Sequence, residues 1–186
     1  MDYPVSISLS HPDRSSRLHL LFSFLIAIPA YVVFIFTSIG ASFIGFFAWF
    51  AVLFTGKYPR GMWDFVSKNT IFGAQLSAYM SHLTDTTPKW GDISGHPYKV
   101  SVSYPERASR VALFFWPFIL IPHMFLGFFY AIGLMFVSWI AMIVILFAGK
   151  YPEGMWNYAF GFSKFVTRIQ FYVNLLCPVI PPTSMK

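Results

Sequence analysis

The sequence predicts an all-α membrane protein built from two tandem helical hairpins, with four transmembrane helices in all. First, apolar residues make up 56% of the chain and charged residues only 11%, against roughly 25% charged residues in soluble domains. Second, residues 18–55 and 111–148 contain no Asp, Glu, Lys or Arg. Third, the chain repeats itself at a constant offset of 93 residues, since 56–63 read "GKYPRGMW" and 149–156 read "GKYPEGMW".

Each neutral stretch is expected to form two membrane-crossing helices. A transmembrane helix needs about 20 apolar residues, so a neutral stretch of this length fits two helices and a tight turn better than one very long helix. Residues typical of turns lie near the middle of each stretch, at Thr37–Gly40 and at Gly133. Because each unit would cross the bilayer an even number of times, both units are predicted to have the same orientation about an axis along the membrane normal.

The constant offset indicates an internal duplication, because chance similarity between apolar segments would not preserve proline and polar positions. "PDRSSR" at 12–17 aligns with "PERASR" at 105–110. Short alternating segments, "VSISLS" at 5–10 and "VSVS" at 100–103, precede the hairpins and are predicted to be strands. The predicted organisation is a first unit at 1–83 (hairpin 18–55, amphipathic interfacial helix 59–83), a linker at 84–97, and a second unit at 98–186 (hairpin 111–148, interfacial helix 152–176).

The repeated phrase is interpreted as a corner at the membrane surface. Its first glycine closes a helix C-terminus, and its proline suits the first turn of the next helix. The helix that follows is amphipathic and is expected to lie on the membrane surface, with packing on a partner protein as the alternative. Basic and aromatic residues around the corners are predicted to contact lipid headgroups. They are Arg14, Arg17, Lys57, Tyr58, Trp63, Arg107, Arg110, Lys150, Tyr151 and Trp156.

The basic residues also predict an orientation. All 13 Lys and Arg residues lie before, between or after the neutral stretches, and the positive-inside rule makes that side cytoplasmic. The prediction is a multi-pass protein of the plasma membrane with both termini in the cytoplasm. The net charge of +6 is assigned to contact with anionic lipid rather than with nucleic acid.

No catalytic or metal-binding motif is visible in the sequence. The five histidines do not recur between the copies, since His19 aligns with Ala112 and His82 with Leu175. His19 and His123 would differ in depth by on the order of 15 Å at 1.5 Å per residue, too far to share one haem. His123 alone is a weak candidate for binding a cofactor, and a structural role is preferred for it. The sequence therefore predicts a protein that is not an enzyme and has no cofactor or metal.

The motifs "FTGKYPRGMWDF" at 54–65, "QLSAYMSHLTD" at 75–85 and "SHPDRSSRL" at 10–18 resemble those of a bacterial membrane family of unknown function. The resemblance covers both copies, although the second copy reads "VNLLCPVIPPTSMK" where the family has Leu-Thr-Asp. It implies a bacterial plasma membrane and a helical hairpin fold, and it supplies no activity.

Three functional hypotheses follow. The first is a non-enzymatic accessory or scaffold subunit that packs against a larger membrane complex or self-associates. The second is a lipid-binding or membrane-shaping protein whose short hairpins are wedged into one leaflet. A small-molecule transporter or channel is third, because the neutral stretches supply no charged lining.

Overall fold

The computed structural model of the chain describes residues 3–12, 15–106, 108 and 110–185. Within them the chain forms four helices and two short strands. In chain order these are β1 (Val5–Ser8), α1 (Arg17–Thr55), α2 (Arg60–Met80), β2 (Lys99–Val102), α3 (Arg110–Ala148) and α4 (Glu153–Val173).

Each neutral stretch is one continuous helix. α1 and α3 are both 39 residues long, so the predicted turns at Thr37–Gly40 and at Gly133 do not form, and that part of the prediction is wrong. Both helices are long and apolar enough to cross a membrane.

Packing explains why the turn residues remain helical. The Thr37 hydroxyl donates to the Phe34 carbonyl, and the Ser42 hydroxyl donates to the Ser38 carbonyl, so both are satisfied within the helix. A Cβ on Gly40 would come within 3.6 Å of the Phe65 ring of α2. An interior glycine costs a helix only about 1 kcal/mol relative to alanine, and packing between helices outweighs a penalty of that size.

The hairpins that do form join a long helix to a short one. Gly56 adopts a left-handed φ of 69° and Gly149 one of 67°, which ends each long helix at the repeated phrase. α2 then runs back along α1, so that Phe65 lies beside Gly40 and Gly73 beside Phe34. α4 runs back along α3 in the same way. α2 and α4 begin and end within a few residues of the helices predicted at 59–83 and 152–176.

The two strands form one antiparallel sheet. β1 pairs with β2, and Ile7 lies opposite Val100. These residues are 93 positions apart, which is the offset of the sequence repeat. The Ile7–Val100 pair therefore lies where the symmetry axis between the two halves of the chain passes.

Contacts between the halves are reciprocal. The Ser15 amide donates to the Gly149 carbonyl at 3.1 Å, and the Ala108 amide donates to the Gly56 carbonyl at 3.1 Å. Ala108 aligns with Ser15, and Gly56 aligns with Gly149, at the 93-residue offset of the repeat. The start of each long helix thus lies beside the end of the other, so α1 and α3 run antiparallel about a pseudo-twofold axis.

The elements form three layers along this axis. The inward face of the sheet, with Val5 and Ile7, packs on α2 and α4. α2 and α4 lie side by side, and their other faces pack on α1 and α3. Trp90 and Ile93, after α2, cover part of α2 on the sheet side. One pole of the molecule is therefore the small sheet, and the opposite pole is the pair of long helices.

Candidate functional site

The most extensive surface feature is the apolar face of α1 and α3. A core helix of a water-soluble protein would be mostly buried, whereas only 22% and 11% of the most apolar stretches of these helices are buried. Large apolar side chains are exposed from Leu18 to Phe54 on α1 and from Phe114 to Phe147 on α3. An apolar surface of this extent is typical of a site that contacts lipid or another protein.

Arg17 and Arg110, two of the arginines predicted to contact headgroups, are exposed and each bonds to the opposite long helix. The Arg17 guanidinium donates to the Phe147 carbonyl at 2.9 Å, and the Arg110 guanidinium donates to the Phe54 carbonyl at 3.2 Å. These carbonyls belong to the last turns of α3 and α1, where the backbone lacks helical partners and the helix dipole favours positive charge. Lys57 and Lys150 are exposed, and Arg14 and Arg107 lie outside the described residues.

The aromatic corner residues are inside the protein. Tyr58, Trp63, Tyr151 and Trp156 are between 1% and 7% exposed, so their rings are not available to a headgroup. The Trp63 indole donates to the Leu176 carbonyl and the Trp156 indole to the Leu83 carbonyl, again as counterparts. The hydrogen bonds of these two tryptophans thus attach each corner to the other half of the molecule.

His123 is buried and holds the C-terminal segment. Its Nδ1 lies 2.8 Å from the Ile119 carbonyl oxygen and its Nε2 lies 2.9 Å from the Pro181 carbonyl oxygen. Both ring nitrogens are therefore occupied by backbone, and neither is available to ligate a cofactor.

A partly buried polar cluster lies at the start of α1, with His19 and Tyr79 buried, His82 half-buried and Asp85 exposed. We call it the His19 cluster, and it consists of His19, Tyr79, His82 and Asp85. His19 Nδ1 lies 2.9 Å from Asp85 Oδ1, and the Ser16 amide donates to Asp85 Oδ2 at 2.9 Å. The His19 ring packs edge-on against Tyr79 and His82, with centroid distances of 4.4 and 5.5 Å.

Burial and neighbouring groups set the charges in this cluster. The pKa of His82 is lowered to about 4, chiefly by burial and to a smaller extent by the neighbouring His19, while Asp85 opposes the shift. Burial by itself raises the pKa of Asp85, but the hydrogen bonds from His19 and from the Ser16 amide outweigh it and leave this pKa below its usual value. The hydrogen bonds to Asp85 thus favour its ionised form beside a neutral His82.

The cluster adjoins a cavity of about 140 Å³ between α2 and α3. The cavity is lined by Ser81, His82, Ser138, Trp139, Met142 and Tyr151. Burial raises the pKa of Tyr151 to about 12, and the Tyr151 hydroxyl and His82 Nδ1 have no hydrogen-bond partner within the described chain.

The chemistry available here is hydrogen bonding and proton exchange. An Asp–His pair fixes the imidazole with Nδ1–H toward the carboxylate. Among the described residues, no three His, Cys, Asp or Glu side chains are grouped so that they could hold a metal ion.

Sequence reasoning set these residues aside because the histidines do not recur. The absence of these residues from the second unit was the sequence signal that could have identified the His19 cluster. His19, His82 and Asp85 align with Ala112, Leu175 and Pro178, so the first unit carries a polar group that the common architecture does not require.

The first half of the chain is similar to one family of known proteins. The sequence model of one protein family, described as a domain of unknown function (DUF4389), matches residues 17–90. The matched region contains α1, the first corner, α2 and the His19 cluster, and it ends at Trp90. No curated protein and no solved structure is significantly similar to the chain.

Proposed function

We propose that the protein is a non-enzymatic, lipid-binding structural protein that lies in one leaflet of a bilayer and shapes it. In this arrangement α1 and α3 lie in the plane of the membrane within the hydrocarbon. The sheet and the segment after α2 face water. The basic residues near the corners then meet anionic headgroups, and the positive-inside rule assigns the watery side to the cytoplasmic face of a bacterial plasma membrane.

The observation that carries this proposal is the length of the exposed apolar face. A helix over 38 uncharged residues is roughly 57 Å long at 1.5 Å per residue, whereas the hydrocarbon core is about 30 Å thick. To fit its whole apolar length by tilting alone, a crossing helix would lean about 60° from the membrane normal, beyond the 0–40° range of transmembrane helices. A helix lying in the plane keeps its full length in hydrocarbon.

The pseudo-twofold axis supports the same placement. If antiparallel α1 and α3 crossed the membrane, the axis relating them would lie in the membrane plane. The sheet lies on that axis, and its exposed Ser6, Ser8, Lys99 and Ser101 would then be at the depth of the hydrocarbon. A lysine at that depth costs about 2.5–3.5 kcal/mol or more. With the axis along the membrane normal, the sheet is in water.

Depth measurements test the placement directly. Spin labels at Leu25→Cys, Phe36→Cys and Phe47→Cys, in a Cys177→Ala background, sample exposed positions along α1. We expect all three labels at similar depth in one leaflet, measured by their relative accessibility to oxygen and to a water-soluble nickel chelate. A profile with Phe36 at the bilayer centre and the other two labels near opposite surfaces would refute the in-plane arrangement. A label at Ser6→Cys serves as the control and is expected in water.

An accessory subunit of a larger membrane assembly is the second candidate. The bulky aromatic Trp139 is 65% exposed on the apolar face, and aromatic residues are enriched in protein interfaces. Extraction into nanodiscs without detergent, followed by native mass spectrometry, separates the two candidates. A stoichiometric protein partner or a homo-oligomer supports the accessory role, whereas a monomer surrounded by lipid supports the lipid-shaping role.

A further inference from the structure

A second cavity, of about 330 Å³, lies beside the middle of α1. We call it the α1 cleft. Its polar and aromatic lining comes from α1, α2, α3 and the segment after α4, namely Ser38, Ser42, Trp49, Asn69, Trp116 and Asn174. We propose that the α1 cleft binds the uncharged, hydroxyl-bearing polar group of a single-chain or double-chain glyceride, with its acyl chain extending along α1.

Asn69 indicates which chemistry the ligand supplies. The residue is only 9% exposed, and its Nδ2 donates to Ser38 Oγ at 3.3 Å. Its Oδ1 is buried and has no hydrogen-bond partner among the residues that the structure describes. A buried acceptor left unpaired destabilises the protein, and a ligand hydroxyl that donates to Oδ1 removes that cost.

The second half of the chain serves as an internal control. At the positions equivalent to Ser38, Ser42 and Asn69 it has Ala131, Met135 and Phe162. Part of the equivalent space there is the cavity of about 140 Å³ beside the His19 cluster, and Ala131, Met135 and Phe162 do not line it. The same helices therefore pack with apolar side chains at these positions, so the fold does not require the polar set of the α1 cleft.

The lining excludes a charged headgroup and provides a path for a chain. None of the residues that line the cleft is Lys, Arg, Asp or Glu, so a phosphate there would lose its hydration without gaining a counter-charge. Ser42 also lines an adjoining open groove formed by Phe43, Phe46 and Phe47. A glyceride matches both surfaces, because its polar group fits the uncharged polar cleft and its acyl chain fits the phenylalanine groove.

The probe for the test is a monoacylglycerol with a diazirine on its acyl chain, added to the full-length protein in phosphatidylcholine nanodiscs. Labelled peptides are mapped by mass spectrometry after illumination. We expect labelling of residues 38–49 to exceed that of the equivalent residues 131–142, and to be competed by unlabelled monoacylglycerol. Equal labelling of the two stretches would overturn the proposal, as would equal competition by phosphatidic acid.

Two variants that copy the second half sharpen the test. Asn69→Phe is expected to reduce the labelling of 38–49 about tenfold, and Ser38→Ala is expected to reduce it less. Phe162→Leu, in the second half, is the matched control and should leave it unchanged. Thermal unfolding shows whether Asn69→Phe folds, and Asn69→Leu with Ser38→Ala replaces it if it does not. Unchanged labelling in the folded variants, or crosslinks joining two copies of the chain at 38–49, would refute the glyceride site.

The site rests on the proposed function only in that its mouth opens to lipid. The in-plane arrangement and the glyceride site can therefore be refuted independently. If the spin labels show that α1 crosses the bilayer, the in-plane arrangement is lost while the labelling of the α1 cleft still decides the ligand. If the labels lie in one leaflet and the cleft is not labelled, only the site is lost.

Discussion

At the scale of single residues, the start of α1 depends on a carboxylate from a distant part of the sequence. The Ser16 hydroxyl accepts from the His19 amide as the N-cap, and Asp85 accepts from the Ser16 amide. The first turn of α1 contains no acidic residue, so Asp85 supplies the negative charge that a helix N-terminus favours.

His82 makes stability depend on pH. Its pKa is about 4 in the folded protein and near 6.5 when unfolded, so between these values the unfolded state binds more protons. Stability is therefore fully present above pH 6.5 and falls as the pH is lowered toward 4, by up to about 1.4 kcal/mol per pH unit. His82→Leu, which copies Leu175, should flatten this dependence, measured by thermal unfolding in detergent from pH 4.5 to 7.5.

Leu175→Met is the matched control for that measurement. His82 and Leu175 both adopt a left-handed φ of 57°, so leucine is compatible with the backbone at this point of the repeat. The control lacks a titratable group and should keep the dependence of the parent protein. An unchanged slope in His82→Leu would show that another group is responsible.

At the scale of elements, each corner depends on the conformation of one glycine. Gly56 has a positive φ, and a Cβ there would lie 3.4 Å from the Arg110 guanidinium. The left-handed conformation costs a residue with a Cβ roughly 1–2 kcal/mol. The junction between α1 and α2 therefore favours glycine.

Gly56→Ala is accordingly expected to lower the free energy of unfolding by about 1–2 kcal/mol. Gly61→Ala is its control, because Gly61 lies in α2 and a Cβ there would meet nothing within 4 Å. The control should be neutral or stabilising by up to about 1 kcal/mol, since alanine favours a helix. Denaturation followed by circular dichroism compares the two, and equal effects would contradict the role of the left-handed glycine.

At the scale of the whole molecule, the two-stranded sheet joins the two halves on the pseudo-twofold axis that relates them. Ser6 lies opposite Ser101 in the sheet, and both are exposed. Residues opposed in an antiparallel pair have Cβ atoms about 4.5–5.5 Å apart, close to the spacing that a disulfide needs.

A Ser6→Cys and Ser101→Cys pair should therefore form an intramolecular disulfide in a Cys177→Ala background. Because it closes a loop of about half the chain, we expect it to stabilise the protein by about 4 kcal/mol. Peptide mapping and unfolding with and without reductant measure this. Ser6→Cys combined with Ser103→Cys, which lies beyond β2, is the control and should form the disulfide poorly. Equal crosslinking of both pairs would contradict the register.

Much of the fold could be predicted because its signals are local. Alternation of apolar and polar residues located both strands, and the repeated phrase located the ends of the long helices and the starts of α2 and α4. The constant offset of 93 residues indicated two equivalent units. In the structure, equivalent residues of the two units make equivalent hydrogen bonds, such as those of Trp63 and Trp156.

The sequence by itself determined the secondary structure around the corners, the apolar character of residues 18–55 and 111–148, and the duplication. Only tertiary structure decided that each neutral stretch is one helix, because length alone favoured two short helices and the long helix depends on the packing of α2 along α1 and of α4 along α3. It also decided that Tyr58 and Tyr151 are buried, and that Asp85 meets His19 across 66 residues of chain. Such pairings depend on how helices are stacked, which local propensity does not encode.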